Sequence, residues 1–262
     1  MFKEMAKYKE LVYFLVHKEI RLKYRNSFFG FFWSLLEPLG LMVIYTLVFS
    51  VITKFGREID NYPLYVLSGL IPWTFLSNSM HQGAKSLTKN SALIKKIFFP
   101  RQIFPLTTVL ANLVNFIPAL FLVVILAIVT EWDPSLLSRI LVLPAIVLLQ
   151  ALFILSITII LSVLNVFYKD VELILTVALR AWMYLSPIIY SINMVQEQMP
   201  QYFGYYLLNP MAIILSLYRW VFFSEPVIGW QYIVYTVVGT VVFFFIAWKL
   251  FNRINRRVGE II

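Results

Sequence analysis

KSLTKNSALIKKIFFPRQIFPL, residues 85–106, decides how the rest of the chain is arranged. Apolar runs of bilayer length lie on both sides of it, yet it carries Lys85, Lys89, Lys95, Lys96 and Arg101 and no acid. Cations between two membrane spans are held on the cytoplasmic side, so this loop is expected in the cytoplasm. That placement orients every span before and after it. Within the loop, residues 91–98 are helix-compatible and stop before Pro100, which cannot continue a helix. A short helix presented to the cytosol there is a handle for another protein.

Composition agrees with a chain that lives in lipid. It has 262 residues, 61% of them hydrophobic and 13% charged, and a mean hydropathy of +0.81. Soluble domains do not reach such values. A net charge of +9 would suggest nucleic acid in a soluble protein, but here the basic residues flank apolar runs, so the positive-inside rule explains them and no nucleic-acid partner is expected. Cysteine is absent, which excludes disulfides, thiolate nucleophiles and cysteine-ligated metals. No cleavable signal peptide is expected, because the first apolar run follows a charged segment and is long enough to stay in the bilayer.

Taken in order, residues 1–30 are expected to form a cytoplasmic amphipathic helix at the membrane surface. Tyr8, Leu11, Val12, Leu15, Val16, Ile20 and Tyr24 fall on one helical stripe, and Lys3, Lys7, Lys18, Arg21 and Arg25 share another face. Residues 31–262 then read as a six-span, all-α membrane domain. The spans are about 38–53, 63–80, 105–129, 140–165, 173–192 and 230–251, each near the ~20 residues a bilayer requires. Glu37 followed by Pro38 reads as the start of the first helix; a start nearer Phe28 would bury Glu37 in hydrocarbon and require a partner for it. Residues 193–229 hold apolar pieces too short to span, broken by Pro200, Pro210 and Pro226, which suits short re-entrant helices on the outer side.

Lysine and arginine test this layout. Residues 1–29 carry seven, the basic loop (85–104) five, position 169 one and residues from 249 onward four, which is seventeen inside. Lys54, Arg57, Arg139 and Arg219 are four outside, and Arg180 lies within a span. The bias places both termini in the cytoplasm.

Little here suits catalysis. The nearest fragment to a phosphate-binding loop, HQGAKS at residues 81–86, lacks the upstream glycine, so ATP hydrolysis is not expected on this chain. His17 and His81 are the only histidines and lie in different segments, so no metal site is expected. An enzyme acting on polyprenyl phosphates would gather acids at the interface, where only Glu37, Asp170 and Glu172 are placed to serve. Glu172, Thr176, Arg180 and Tyr184 recur every four residues along the fifth span, making one polar stripe. Arg180 is either a cation lining a path for phosphate or sugar, or a structural residue bonded to carbonyls or to Glu37. The aromatics Trp33, Tyr45, Trp73, Trp182, Tyr184 and Tyr190 suit either an interface belt and core packing or a surface on which sugar rings slide.

Four stretches carry a resemblance to a known family: KEIRLKYRNSFFGFFWSLLEPL (18–39), NSALIKKIFFPRQIFPL (90–106), YKDVELILTVALRAWMYLSPIIY (168–190) and LNPMAIILSLYR (208–219). In this order they resemble the permease subunits of ABC exporters that move undecaprenyl-linked polysaccharides, the O-antigen and teichoic acid exporters. The resemblance implies a homodimer around a channel for lipid-linked polysaccharide in the cytoplasmic (inner) membrane. It implies an ATP-binding partner subunit, which carries the ATP and magnesium, gripping a coupling helix at Asn90, Ser91, Ala92, Leu93, Ile94, Lys95 and Lys96. It also implies that residues 8–25 help gate the lipid-linked substrate, that Arg21, Lys23 and Arg25 meet its pyrophosphate or else anchor anionic lipid, and that residues 194–223 cap the outer mouth. The alternatives are an ABC permease for a drug or small lipid, and a membrane enzyme acting on polyprenyl phosphates.

Overall fold

The computed structural model describes residues 8–52, 56, 59–96, 99–130, 133–225 and 228–261, the last six by backbone alone. All regular structure among them is helical. Helix α1 (Lys9–Tyr24) turns through Gly30–Phe32 into α2 (Trp33–Thr46), which continues as a wider π-turn at Leu47–Ile52. Next come α3 (Tyr62–Ala84), the short α4 (Ser86–Lys89) and α5 (Ser91–Lys96), and α6 (Ile103–Thr130). Then follow α7 (Leu136–Ile140), α8 (Leu143–Phe167) and α9 (Val171–Tyr184). The chain closes with α10 (Ile192–Gln198), α11 (Pro200–Tyr206), α12 (Pro210–Phe223) and α13 (Trp230–Ile261).

Among the described residues, four segments are long and apolar enough to cross a membrane: Gly30–Ile52, Ile103–Thr130, Leu136–Phe167 and Trp230–Asn255. A fifth is added if α11 and α12, bent by 96° at their junction, are one broken span. Helix α3 is 23 residues long but carries Ser68, Asn78, Ser79, His81 and Gln82. It can afford them because it is the centre of the bundle, buried along most of its length and packed on α2, α6, α8, α9 and α12. A helix that meets protein on all sides need not be as apolar as one that meets lipid.

The core has two large parts and a third, small one in which Ile192, Leu207 and Ile213 meet. The larger joins Leu67, Leu70, Ile71 and Leu76 of α3 to Phe116 and Val123 of α6, Ile154 of α8, and Leu215, Tyr218 and Phe222 of α12. Gln150, fully buried on α8, ties three helices together here: it donates to the Pro72 carbonyl (2.8 Å) and accepts from the Tyr218 hydroxyl (2.8 Å). The smaller part lies at the basic-loop end, where Leu15 of α1 meets Leu87, Phe99, Ile103, Phe104, Ile159, Val163, Phe244 and Phe251. All seven residues of the expected α1 stripe are buried or half-buried, with Leu15 at 2% exposure. The stripe therefore faces the bundle, chiefly α6.

Three expectations change. The first membrane helix starts before Glu37, which sits inside α2 with Pro38 as its buried neighbour. The expected helix at residues 91–98 is Ser91–Lys96, with 97–98 outside the described residues. Helix α9 ends at Tyr184, giving about 21 Å at 1.5 Å per residue, short of the ~30 Å hydrocarbon thickness. Residues 185–191 run on without helix, although Ser186, Ile188 and Ile189 are buried.

Candidate functional site

Buried backbone without helix must find hydrogen bonds inside the protein. Residues 184–190 do so one carbonyl at a time. Tyr184 O accepts from the Tyr190 hydroxyl (2.9 Å) and Leu185 O from Asn209 Nδ2 (3.1 Å). Ile188 O accepts from Arg219 Nη2 (3.1 Å), Ile189 O from the Tyr62 hydroxyl (3.0 Å), and Tyr190 O from Arg219 Nη1 and the Tyr65 hydroxyl (both 3.3 Å). Arg219, counted above as an outer-loop cation, is thus fully buried, its guanidinium 3.8 Å from the Tyr65 ring centre. Asn209 also caps α12 by accepting from Met211 N (3.1 Å), and it accepts from Trp182 Nε1 (2.9 Å). Neither Arg219 nor Asn209 stood out in the sequence as a site residue.

Beyond this brace, at the end away from the basic loop, Asp60, Tyr65, Ser191, Asn193, Glu197 and Glu225 line an open vestibule. Burial raises the Glu225 carboxyl above its ordinary range, and Arg219 opposes that shift. Arg139, the other buried arginine among the described residues, fastens α7 to the end of α12 through the Trp220 carbonyl (3.1 Å) and the Ser224 hydroxyl, and pairs with Asp133 (2.9 Å).

At the basic-loop end the expected coupling residues divide between two faces. Asn90 is buried, donating to Ser86 O (2.8 Å) and accepting from Lys18 of α1 (2.9 Å). Lys89 pairs with Glu19 of α1 (2.7 Å) and Lys85 with Glu172 of α9 (2.6 Å). Ser91 is half-buried, and Leu93 and Ile94 pack onto the smaller core. Ala92, Lys95 and Lys96 form the exposed face of α5. Arg101 and Gln102 reach Asn255 and Asn252 of α13.

A polar cleft opens beside α1. Lys23, Ser34, Glu37, Thr74, Asn78, Asn112 and Asn115 line it, with Phe75 and Phe116 stacked in its wall (centroids 4.9 Å apart) and an empty volume of about 370 Å³. Tyr24 donates to Asn115 Oδ1 (2.9 Å), and Asn112 Nδ2 donates to Gln82 Oε1 (3.1 Å) and Thr108 O (3.0 Å). Desolvation lowers the Lys23 pKa, and the charge of Glu37 opposes the shift. All three residues of the expected basic triplet are exposed, and only Lys23 lines this cleft; Arg21 is on the same helix and Arg25 is its cap. The turn from α1 to α2 needs left-handed backbone at Asn26 (φ 61°) and Gly30 (φ 50°), a conformation glycine adopts freely.

The α9 stripe starts inside the protein and ends outside it. Glu172 meets Lys85, and Thr176 meets His81 Nε2 (3.2 Å). Arg180 and Tyr184 are exposed, and among the described residues Arg180 has no hydrogen-bond or ion-pair partner. The expected aromatics do not form one surface. Trp73 is buried edge-on to Trp182 (6.0 Å), while Tyr45 is half-buried and Trp33 is exposed near the basic end.

A family model described as ABC-2 type transporter matches residues 10–223. The chain is 31% identical over 223 residues to an O-antigen export system permease protein of Myxococcus xanthus, covering 85% of this chain and 84% of that one. A protein of the same name from Klebsiella pneumoniae is 28% identical over 253 residues, 97% of this chain and 95% of its own. The polysialic acid transport protein KpsM of Escherichia coli is 24% identical over 205 residues, 77% of each.

Proposed function

This chain belongs to the ABC-2 type transporter family, and on that premise we propose that it is the permease subunit of an ABC exporter moving lipid-linked polysaccharide outward across the cytoplasmic membrane. The observation that carries this reading is the likeness, over most of both chains, to permeases named for O-antigen and polysialic acid export. In this reading α2, α3, α6, α8, α13 and α9 with its unwound continuation supply six crossings. Residues 1–30 are the interface segment, both termini are cytoplasmic, and α10, α11 and α12 cap the outer mouth as re-entrant helices.

A separate ATP-binding subunit, which holds ATP and magnesium, docks on the exposed face of α5 at Ala92, Lys95 and Lys96. Closure of its nucleotide-binding dimer displaces α5. Asn90 bonded to Lys18, Lys89 to Glu19 and Lys85 to Glu172 carry that displacement to α1 and α9, which flank the route a diphosphate headgroup takes. Two copies of the chain enclose the channel, since C2 pairing is the commonest closure, and Arg180, Tyr45 and Tyr184 face it.

Reconstitution with the ATP-binding subunit in liposomes tests the reading. ATP-dependent appearance of a lipid-linked glycan on the far side is expected. ATPase activity that responds to a small amphiphile but not to the glycan lipid would overturn it in favour of drug or small-lipid export.

A further inference from the structure

The inner half of α3 lies against α8 along faces that are poorly bonded. Ser79, Gly83 and Ser86 follow one another at helical spacing on α3 and α4, and Thr158, Ser162 and Asn165 do the same on α8. The two faces meet closely: a Cβ built on Gly83 would lie 2.0 Å from Thr158 Cγ2. Small residues let membrane helices approach in this way. Yet Ser79 Oγ, Ser86 Oγ, Thr158 Oγ1 and Asn165 Oδ1 are buried without a hydrogen-bond partner among the described residues. A buried polar atom left unpaired raises the energy of the state that contains it. Four along one seam point to a second arrangement in which they are paired.

The outer half of the same helix pair is fastened. Gln150 of α8 donates to the Pro72 carbonyl and accepts from the Tyr218 hydroxyl behind it (both 2.8 Å). Pro72 stands inside α3, where its ring removes the hydrogen bond to the Ser68 carbonyl and loosens the helix at that turn. A pinned outer half, a weak turn and an unbonded inner half make a lever. Helix α9 rides on the inner half, because Lys85 pairs with Glu172 (2.6 Å) and His81 meets Thr176 (3.2 Å); α4 leads directly into α5. Toward α8 the tie from Asn165 Nδ2 to Glu172 is long, at 3.4 Å. Leu87 packs there on Ile159 and Val163, and apolar contacts have no direction to hold them in place.

We propose that the seam between α3 and α8 is the sliding face of the transporter: when α5 is displaced, α3 swings across α8 about the Pro72–Gln150 bond, and Ser79, Ser86 and Thr158 find hydrogen-bond partners only in the displaced arrangement. The inference rests on the exporter reading above and deepens it, by naming the hinge through which an ATP-binding subunit reaches α9 and Arg180. The present arrangement is then the less bonded of two, and ATP binding relieves it.

Paired spin labels on a chain with no cysteine of its own test the swing. The whole transporter is used with its ATP-binding subunit in nanodiscs, diluted with unlabelled subunit. Thr88→Cys on α4 with Leu164→Cys on α8 reports the inner ends, and Pro63→Cys on α3 with Leu148→Cys on α8 the outer ends, all at exposed or half-buried positions. The inner distance is expected to change by more than about 2 Å on trapping with ATP and vanadate, while the outer one stays. Ser79→Ala with Thr158→Val tests the hydroxyls, nearly keeping shape while removing the unpaired groups. The melting midpoint without nucleotide is expected to stay or rise. Glycan exported per ATP is expected to fall about fivefold or more, as the displaced state alone loses a hydrogen bond. Two distances that both change or both stay overturn the hinge. A lower midpoint, or undiminished export, overturns the account of the hydroxyls. A swing without any ATP-dependent glycan export by the unsubstituted transporter leaves the seam standing and overturns the exporter reading.

Discussion

Carbonyl oxygens at positions 188 and 190 accept from Arg219, so removing that side chain strands the buried Ile188 carbonyl and leaves the Tyr190 carbonyl with the Tyr65 hydroxyl alone. Hydrogen bonds to a charged group are each worth about 1.5–3 kcal/mol. Part of that is offset because the buried guanidinium is itself costly to desolvate. Arg219→Met is therefore expected to destabilise the protein by about 2–4 kcal/mol, read as a lower melting midpoint by tryptophan fluorescence in detergent. Arg219→Lys should fall between the two, since one ammonium lacks the reach of a planar fork. An Arg219→Met protein that melts with wild type would remove the brace from the account. Gly69 tests the other side of the same segment. A Cβ built there would lie 3.1 Å from Ile188 O and 3.2 Å from Ile188 Cα, and backbone pinned by Arg219 cannot step aside. Gly69→Ala should cost about 1–3 kcal/mol by overpacking. Neither role was read from the sequence: charge placed Arg219 in an outer loop, and the span was carried to residue 192 through Pro187, which does signal that a helix stops but not which distant side chains then supply the donors.

At the scale of elements, hydrophobic period served well where a helix has two distinct faces. The stripe from Tyr8 to Tyr24 identified α1 and the side it buries, although period alone left open whether protein or lipid covers that side. Helix α5 shows the limit from the other direction. Its six residues are too few for a period to show a face, and only tertiary packing separates Leu93 and Ile94, turned to the core, from Ala92, Lys95 and Lys96, turned outward. That division gives an expected difference between variants. Lys95→Glu with Lys96→Glu should leave the melting midpoint unchanged while cutting capture of the ATP-binding subunit more than about tenfold, equivalent to 1.4 kcal/mol or more. Leu93→Asp should instead lower the midpoint, because a carboxylate in the small core goes unpaired. Equal capture by the Lys95/Lys96 variant and wild type would place the docking face elsewhere. The start of α2 was misread for a related reason: Pro suits a first helical turn, but it is also tolerated inside membrane helices when neighbours satisfy the freed carbonyl.

For the whole molecule, charge bias and apolar runs made the membrane class legible, while the count of crossings depended on packing. Helix α3 has too many polar residues to pass as a lipid-facing span and owes its place to being surrounded. The opposite holds for α2, in which Pro38 is the only buried residue from Trp33 to Thr46. Helix α9 likewise turns Arg180 and Tyr184, the latter 62% exposed, away from its own bundle. An arginine left facing lipid near a helix centre costs about 2.5–3.5 kcal/mol on insertion scales, so a second copy covering α2 and α9 is the arrangement that spares it. Since the chain has no cysteine, introduced thiols report without background. Ile44→Cys on α2 and Val177→Cys on α9 should give dimer-sized bands under mild oxidation in membranes. Phe121→Cys on α6 and Phe245→Cys on α13, equally exposed on other faces, should not. Cross-linking confined to α6 and α13 would put the subunit contact on the other side of the bundle, and Arg180 would then face lipid or an unknown partner and not a channel.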